Sequence, residues 1–152
     1  MTGFDLKDHD NIEGIAIDAF ATSRDCATGL RVDVLPNLPP SERPRAQALL
    51  ADIEARRIFE RKTLNLLEGV IDTISRRVLD GTEEIEGFHA DDCHADGGAM
   101  VTQRLRTETA DDLARALPLL LALRDSIHAV HDAMHAIHAV DKLRAAHNRS
   151  AS

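Results

Sequence analysis

Two apolar stripes, each recurring in steps of three and four residues, constrain this chain more than any other feature of its sequence. Such steps keep side chains on one face of an α-helix and form the seam along which helices pack together. The first stripe comprises Leu50, Ile53, Leu64, Leu67, Ile71 and Ile74. The second comprises Leu120, Leu123, Ile127, Val130, Met134 and Ile137. The sequence therefore predicts two long amphipathic helices.

The residues that flank the first stripe predict where its helix begins and ends. Ser41 is a favourable N-terminal cap, and Pro44 fits in the first turn, where backbone amides lack helical partners. Gly81 is a typical residue at the C-terminal end of a helix. One uninterrupted helix is therefore expected over residues 42–80, with Arg57 and Glu60 as polar interruptions of its stripe.

The second stripe belongs to a longer helical pattern. This pattern resumes near Met100 and fades after residue 146, which predicts helical structure over residues 100–147. Pro118 lies inside it and has no amide hydrogen to donate, so we expect a kink or a break at that residue.

The segments outside the stripes hold the acidic charge of the chain. Residues 82–98 contain six acids, no Lys or Arg and three glycines, which is typical of a solvated loop. Residues 1–40 hold seven acids against three bases and predict an N-terminal arm with one short helix over residues 11–21. The predicted fold is thus all-α, with the arm followed by a long antiparallel helical hairpin over residues 41–152. The low aromatic content of 3% agrees with helices better than with a sheet.

A hairpin of two helices leaves apolar flanks uncovered. Either the N-terminal helix folds back over these flanks or a second chain covers them, and the length of the stripes favours the second chain. We therefore expect a homo-oligomer, or an assembly with other protein subunits, that forms through a coiled-coil interface made by the twelve stripe residues. The sequence contains no nucleophile elbow, phosphate-binding loop or dinucleotide fingerprint. The expected function is that of a non-enzymatic structural subunit of an oligomer or of a larger particle such as a virion.

Four histidines suggest a second function of a different class. His128, His131, His135 and His138, here called the histidine track, are spaced by three, four and three residues and so share one helical face. Imidazoles one turn apart can bind one transition metal, and antiparallel pairing of the two helices would bring Glu60 opposite as a carboxylate ligand. The alternative prediction is a helical bundle that binds Zn, Cu or Ni through these five residues. A purely structural role and a pH-sensing role fit the same spacing.

Charge and hydropathy exclude several partners. The formal net charge is −8 and no basic stripe is present, so a nucleic-acid partner is not expected. The longest apolar run, over residues 117–123, is too short to span a membrane, and the acidic N-terminus does not resemble a signal peptide. We expect a cytoplasmic protein or one assembled into a particle inside the cell. Cys26 and Cys93 are expected to be free thiols, and a bridge within or between chains stays open.

Overall fold

The computed structural model describes residues 3–88 and 100–151, with side chains described over 12–82 and 107–149. The described residues are mostly helical, which confirms the main point of the predicted fold class. The elements in chain order are α1 (Gly3–Gly29), a π-helical turn (Leu30–Val34), a 3-10 turn (Leu35–Asn37), α2 (Arg43–Glu54), α3 (Arg61–Asp80), β1 (Thr82–Phe88), β2 (Met100–Arg106) and α4 (Glu108–Ala151). No helix within these described ranges is both long and apolar enough to cross a membrane.

The N-terminal segment is a much longer helix than the sequence predicted. Helix α1 spans 27 residues, where a short helix over residues 11–21 was expected. Its buried side recurs in helical steps at Ala19, Ser23 and Cys26, and Leu30 of the π-helical turn continues the series. This side packs along α4, where the Cys26 thiol reaches the backbone of Leu119. The helix of the N-terminal arm therefore covers a flank that the sequence analysis had assigned to a second chain.

The helix predicted over residues 42–80 is interrupted in the structure. Helix α2 ends at Glu54 in a Schellman motif, in which the amide of Arg57 donates to the carbonyl of Asp52 at 2.9 Å and the amide of Arg56 donates to that of Ile53 at 3.0 Å. Arg56 takes the left-handed conformation that this motif requires, with φ of 59°. The turn places Ile58 in the core, fully buried, before α3 begins. Burial of the Ile58 side chain contributes to the free energy of folding and so favours the interrupted helix.

Strands replace part of the predicted loop and the start of the predicted second helix. Strands β1 and β2 pair antiparallel, from Thr82 opposite Arg106 to Phe88 opposite Met100. Residues 89–99, the centre of the predicted acidic loop, lie outside the described residues. Helix α4 begins only at Glu108, where the Thr107 hydroxyl accepts a hydrogen bond from the amide of Ala110 at 3.1 Å. The prediction of helix from residue 100 is therefore wrong, because residues 100–106 pair with β1 instead.

Helix α4 is continuous through Pro118. It spans 44 residues, about 66 Å at 1.5 Å per residue, and Pro118 lies inside it. Of the kink or break predicted at Pro118, the break is therefore absent. Pro118 is exposed, and its ring removes one amide donor from the helical ladder and crowds the backbone carbonyl four residues earlier.

The two stripes lie mainly in the core of the single chain. Eight of the twelve predicted interface residues are buried: Ile53, Leu67, Ile71, Ile74, Leu120, Leu123, Ile127 and Val130. Leu50, Leu64 and Ile137 are half-buried, and Met134 is exposed. Gly81, after the end of α3, lies so close to the start of α4 that a β-carbon there would be 2.6 Å from the β-carbon of Ala110. This contact, and one between Phe59 and His131 at the other end of α3, are compatible with an antiparallel hairpin.

Candidate functional site

A groove between α1 and the C-terminal half of α4 is the strongest candidate for a functional site. We call it the α1–α4 groove. Its volume is about 460 Å³, and it is lined by Ile12 from α1 and by His131, Met134, His135, Ile137, His138 and Asp141 from α4. Three of the four residues of the histidine track therefore line one depression. Ile12, Met134 and Ile137 give the same depression an apolar lining.

The groove is open because α3 is shorter than α4. The connection that precedes α3 reaches α4 at His131, through the backbone of Phe59. Helix α4 continues for 20 residues beyond His131, to Ala151. Every described residue that lines the groove belongs to α1 or α4. Among the described residues, only α1 and α4 form this end of the molecule, whereas α3 also lies alongside the earlier part of α4.

His131 is held by the connection between α2 and α3. Its Nε2 lies 2.9 Å from the carbonyl oxygen of Phe59, and the ring is half-buried. A carbonyl oxygen only accepts, so Nε2 carries the hydrogen and donates it, which leaves a lone pair on Nδ1 in the neutral ring. Phe59 is itself fixed by an edge-to-face contact with Phe20, with ring centroids 5.3 Å apart. The guanidinium of Arg56 lies 4.4 Å above the centre of the Phe20 ring.

The structure does not bring the predicted metal ligands together as one set. His128 lies outside the groove, where its Nε2 is 3.8 Å from a carboxylate oxygen of Glu68. Glu60 precedes α3, exposed, with its carboxylate 3.7 Å from the ammonium of Lys62. His135 and His138 are exposed within the groove. Among the residues that the structure describes, no three His, Cys, Asp or Glu side chains are close enough to hold a metal ion.

Asp141 is a groove residue that the sequence analysis missed. It follows His138 by three residues, so it continues the helical face of the track and adds a carboxylate to it. The sequence signal that could have identified Asp141 is its position three residues after His138, on the same helical face. The missing information was the start of α3 at Arg61, because that start shows where the part of α4 without α3 alongside it begins.

The two helices at this open end carry opposite charge. Residues 12–18 of α1 include two acids and no base, a formal charge of −2. Residues 142–149 of α4 include three bases and no acid, a formal charge of +3 with histidine neutral. A surface with both signs can complement a second copy of itself.

Cys26 is a free thiol that points away from this groove into the contact between α1 and α4. It is almost fully buried and donates a hydrogen bond to the carbonyl of Leu119, with Sγ and O 3.0 Å apart. Burial raises the pKa of Cys26 from its ordinary 9.0 to about 12, and the nearby Asp25 carboxylate adds to this effect. Cys93, the other cysteine, lies outside the described residues.

We expect Cys26 to resist thiol reagents while the chain is folded. At pH 8 a pKa of about 12 leaves roughly a thousandfold less thiolate than the ordinary value does, and the thiolate is the reactive species. A Cys93→Ser variant isolates this thiol, and its labelling rate with a disulfide reagent is compared before and after denaturation with guanidinium. The neutral thiol also contributes stability that is present below pH 9.0 and lost as the pH rises toward about 12. Equal labelling rates in the folded and denatured chain would contradict the burial.

Comparisons with models of known families, with curated proteins and with solved structures found no match for this chain.

Proposed function

We propose that the protein is a non-enzymatic structural subunit that associates with a second copy of itself through the α1–α4 groove. In this proposal α3 and α4 form the antiparallel hairpin of each subunit, and α1 covers one of its flanks. The assembly role expected from the sequence is thus retained, but its surface moves from the buried stripes to the open end of α4.

The observation that carries this proposal is the apolar lining of an uncovered groove. Met134 is 54% exposed, and it shares the groove with Ile12 and Ile137. Burial of such side chains contributes about 25 cal/mol for each Å² of apolar surface removed from water. Elsewhere along α4, helices α1 and α3 cover this kind of apolar surface.

A second copy is the occupant that the charge pattern favours. A two-fold interface requires one surface to complement itself, so an acidic part must meet a basic part of the same surface. The open end has both, with Glu13 and Asp18 exposed on α1 and Lys142 exposed on α4. Two such ends packed together would form a four-helix arrangement, with the apolar lining inside and opposite charges facing each other.

The test is a Met134→Asp variant. A carboxylate in the centre of the groove would lose its water on association without gaining a partner, so we expect the dimer to weaken at least about tenfold. Sedimentation equilibrium measures this change against the dimer mass, twice the chain mass of 16.7 kDa.

The matched control is Leu79→Asp. Leu79 lies on α3 and is 72% exposed, and it does not line the groove. This variant should associate as the parent does. A parent chain that sediments as a monomer at every concentration would refute the proposal, as would a Met134→Asp variant that dimerises as tightly as the parent.

A further inference from the structure

Two copies of the α1–α4 groove together offer a metal ion a more complete set of donor atoms than one copy does. His135 and His138 are exposed on successive turns of one face, and residues so spaced have β-carbons about 5–6 Å apart. One subunit thus offers a pair of imidazoles. Zinc in structural sites takes four ligands, and no three donors converge within the described part of one chain. A second molecule can supply the remaining ligands.

The position of the pair within the groove favours a second copy as that molecule. The α4 residues that line the groove run from His131 to Asp141, so the middle of this range is residue 136. If two copies of α4 cross antiparallel at that point, the two-fold axis passes between His135 and His138 of each helix. The axis then brings two imidazoles from each copy toward one point.

The neighbouring groove residues suit a support role. His131 donates its Nε2 hydrogen to the carbonyl of Phe59, which holds its half-buried ring against the connection between α2 and α3, whereas His135 and His138 are exposed. Asp141 lies one turn after His138, where a carboxylate can accept the hydrogen on the ring nitrogen that does not bind a metal. Such outer hydrogen bonds orient histidine ligands and raise their basicity.

We propose that a divalent transition metal of the zinc, copper and nickel group binds in the groove between two copies of the chain, with His135 and His138 of each copy as its four ligands. The inference rests on the proposed self-association through the same groove. It replaces the ligand set predicted from sequence, because Glu60 is beside Lys62 and His128 is beside Glu68. The metal would add ligand bonds to an interface that apolar packing and charge also form.

The experiment measures dimer affinity and metal content together. Full-length protein is freed of metal with a chelator and then sedimented with and without Zn(II). We expect Zn(II) to tighten the dimer at least about tenfold and to bind at one ion per two chains, as native mass spectrometry would show. Replacing Zn(II) with Co(II) should give the visible absorption bands of a tetrahedral site.

A double variant, His135→Gln with His138→Gln, should lose the effect of Zn(II), measured as the ratio of its own dimer affinities with and without the metal. The matched controls are His128→Gln and Glu60→Gln, which should both respond to Zn(II) as the parent does. A metal-free dimer that Zn(II) neither tightens nor binds would overturn the metal site and leave the proposed function intact. One ion per chain with no change in dimer affinity would also overturn the bridging site. A chain that stays monomeric with and without Zn(II) would refute the proposed function and this inference together.

Discussion

Replacing Leu67 with Asp is expected to unfold the chain instead of separating folded subunits. Leu67 is fully buried at the centre of the core formed by α3 and α4. An unpaired carboxylate in such a place costs about 3–5 kcal/mol or more, and a domain has only about 5–15 kcal/mol of stability in total. We expect the variant to lose most of its far-ultraviolet circular dichroism, or to unfold at a much lower urea concentration than the parent.

The control for this variant is Asn65→Asp, which adds the same charge at an exposed position of the same helix. Its urea midpoint should remain close to that of the parent. A Leu67→Asp variant that keeps its helix content while a dimeric parent becomes monomeric would place the stripe at the interface between chains. That outcome would restore the interface predicted from sequence and remove the one proposed at the groove.

The second large effect is expected at the connection between α2 and α3. Asp52 is buried there, and its Oδ2 accepts a hydrogen bond of 2.8 Å from the hydroxyl of Thr63. The same hydroxyl lies 2.7 Å from the carbonyl oxygen of Arg57, so its single hydrogen is shared between two acceptors. The charged partner of Asp52, the guanidinium of Arg57, is at a distance of 4.0 Å. Thr63 thus joins the end of α2 to the start of α3.

Thr63→Val preserves the shape of this side chain and removes the hydroxyl. We expect a loss of about 1–3 kcal/mol in the free energy of unfolding, because a buried carboxylate oxygen loses its donor. Urea denaturation of the two proteins measures the difference. Thr22→Val is the matched control, since the Thr22 hydroxyl bonds only to a carbonyl four residues earlier on the surface of α1. A Thr63→Val variant no less stable than Thr22→Val would mean that water satisfies Asp52.

The stripes were a sound basis for predicting helices and the faces that these helices bury. Leu67, Ile74, Leu120 and Ile127 all belong to the predicted stripes and are all buried. The end of α3 was also predicted, because Gly81 follows its last residue and donates its amide to the carbonyl of Arg77 at 3.0 Å. The spacing of apolar residues and the residues that end a helix are local properties of a sequence, so they can be recognised without knowledge of the fold.

The interruption between α2 and α3 had no such local signal. Schellman motifs usually place Gly in the left-handed position, and here Arg56 occupies it. A left-handed non-glycine residue costs about 1–2 kcal/mol. The tertiary contacts that accompany the turn are the burial of Ile58, the bond between Thr63 and Asp52, and the position of Arg56 over Phe20. None of these contacts is visible in the periodicity of residues 42–80.

The sequence by itself determined which segments are helical along most of the chain and which of their faces are apolar, because a period of three and four residues is enough to define both. Only the tertiary structure decided what covers those faces. A face covered by α1 and a face covered by a second chain have the same period, so the pattern cannot distinguish them. The groove at the histidine track could likewise be recognised only from the tertiary structure. Helix α3 begins at Arg61, near the level of His131, and only the packing of the three helices shows that α4 continues past the start of α3.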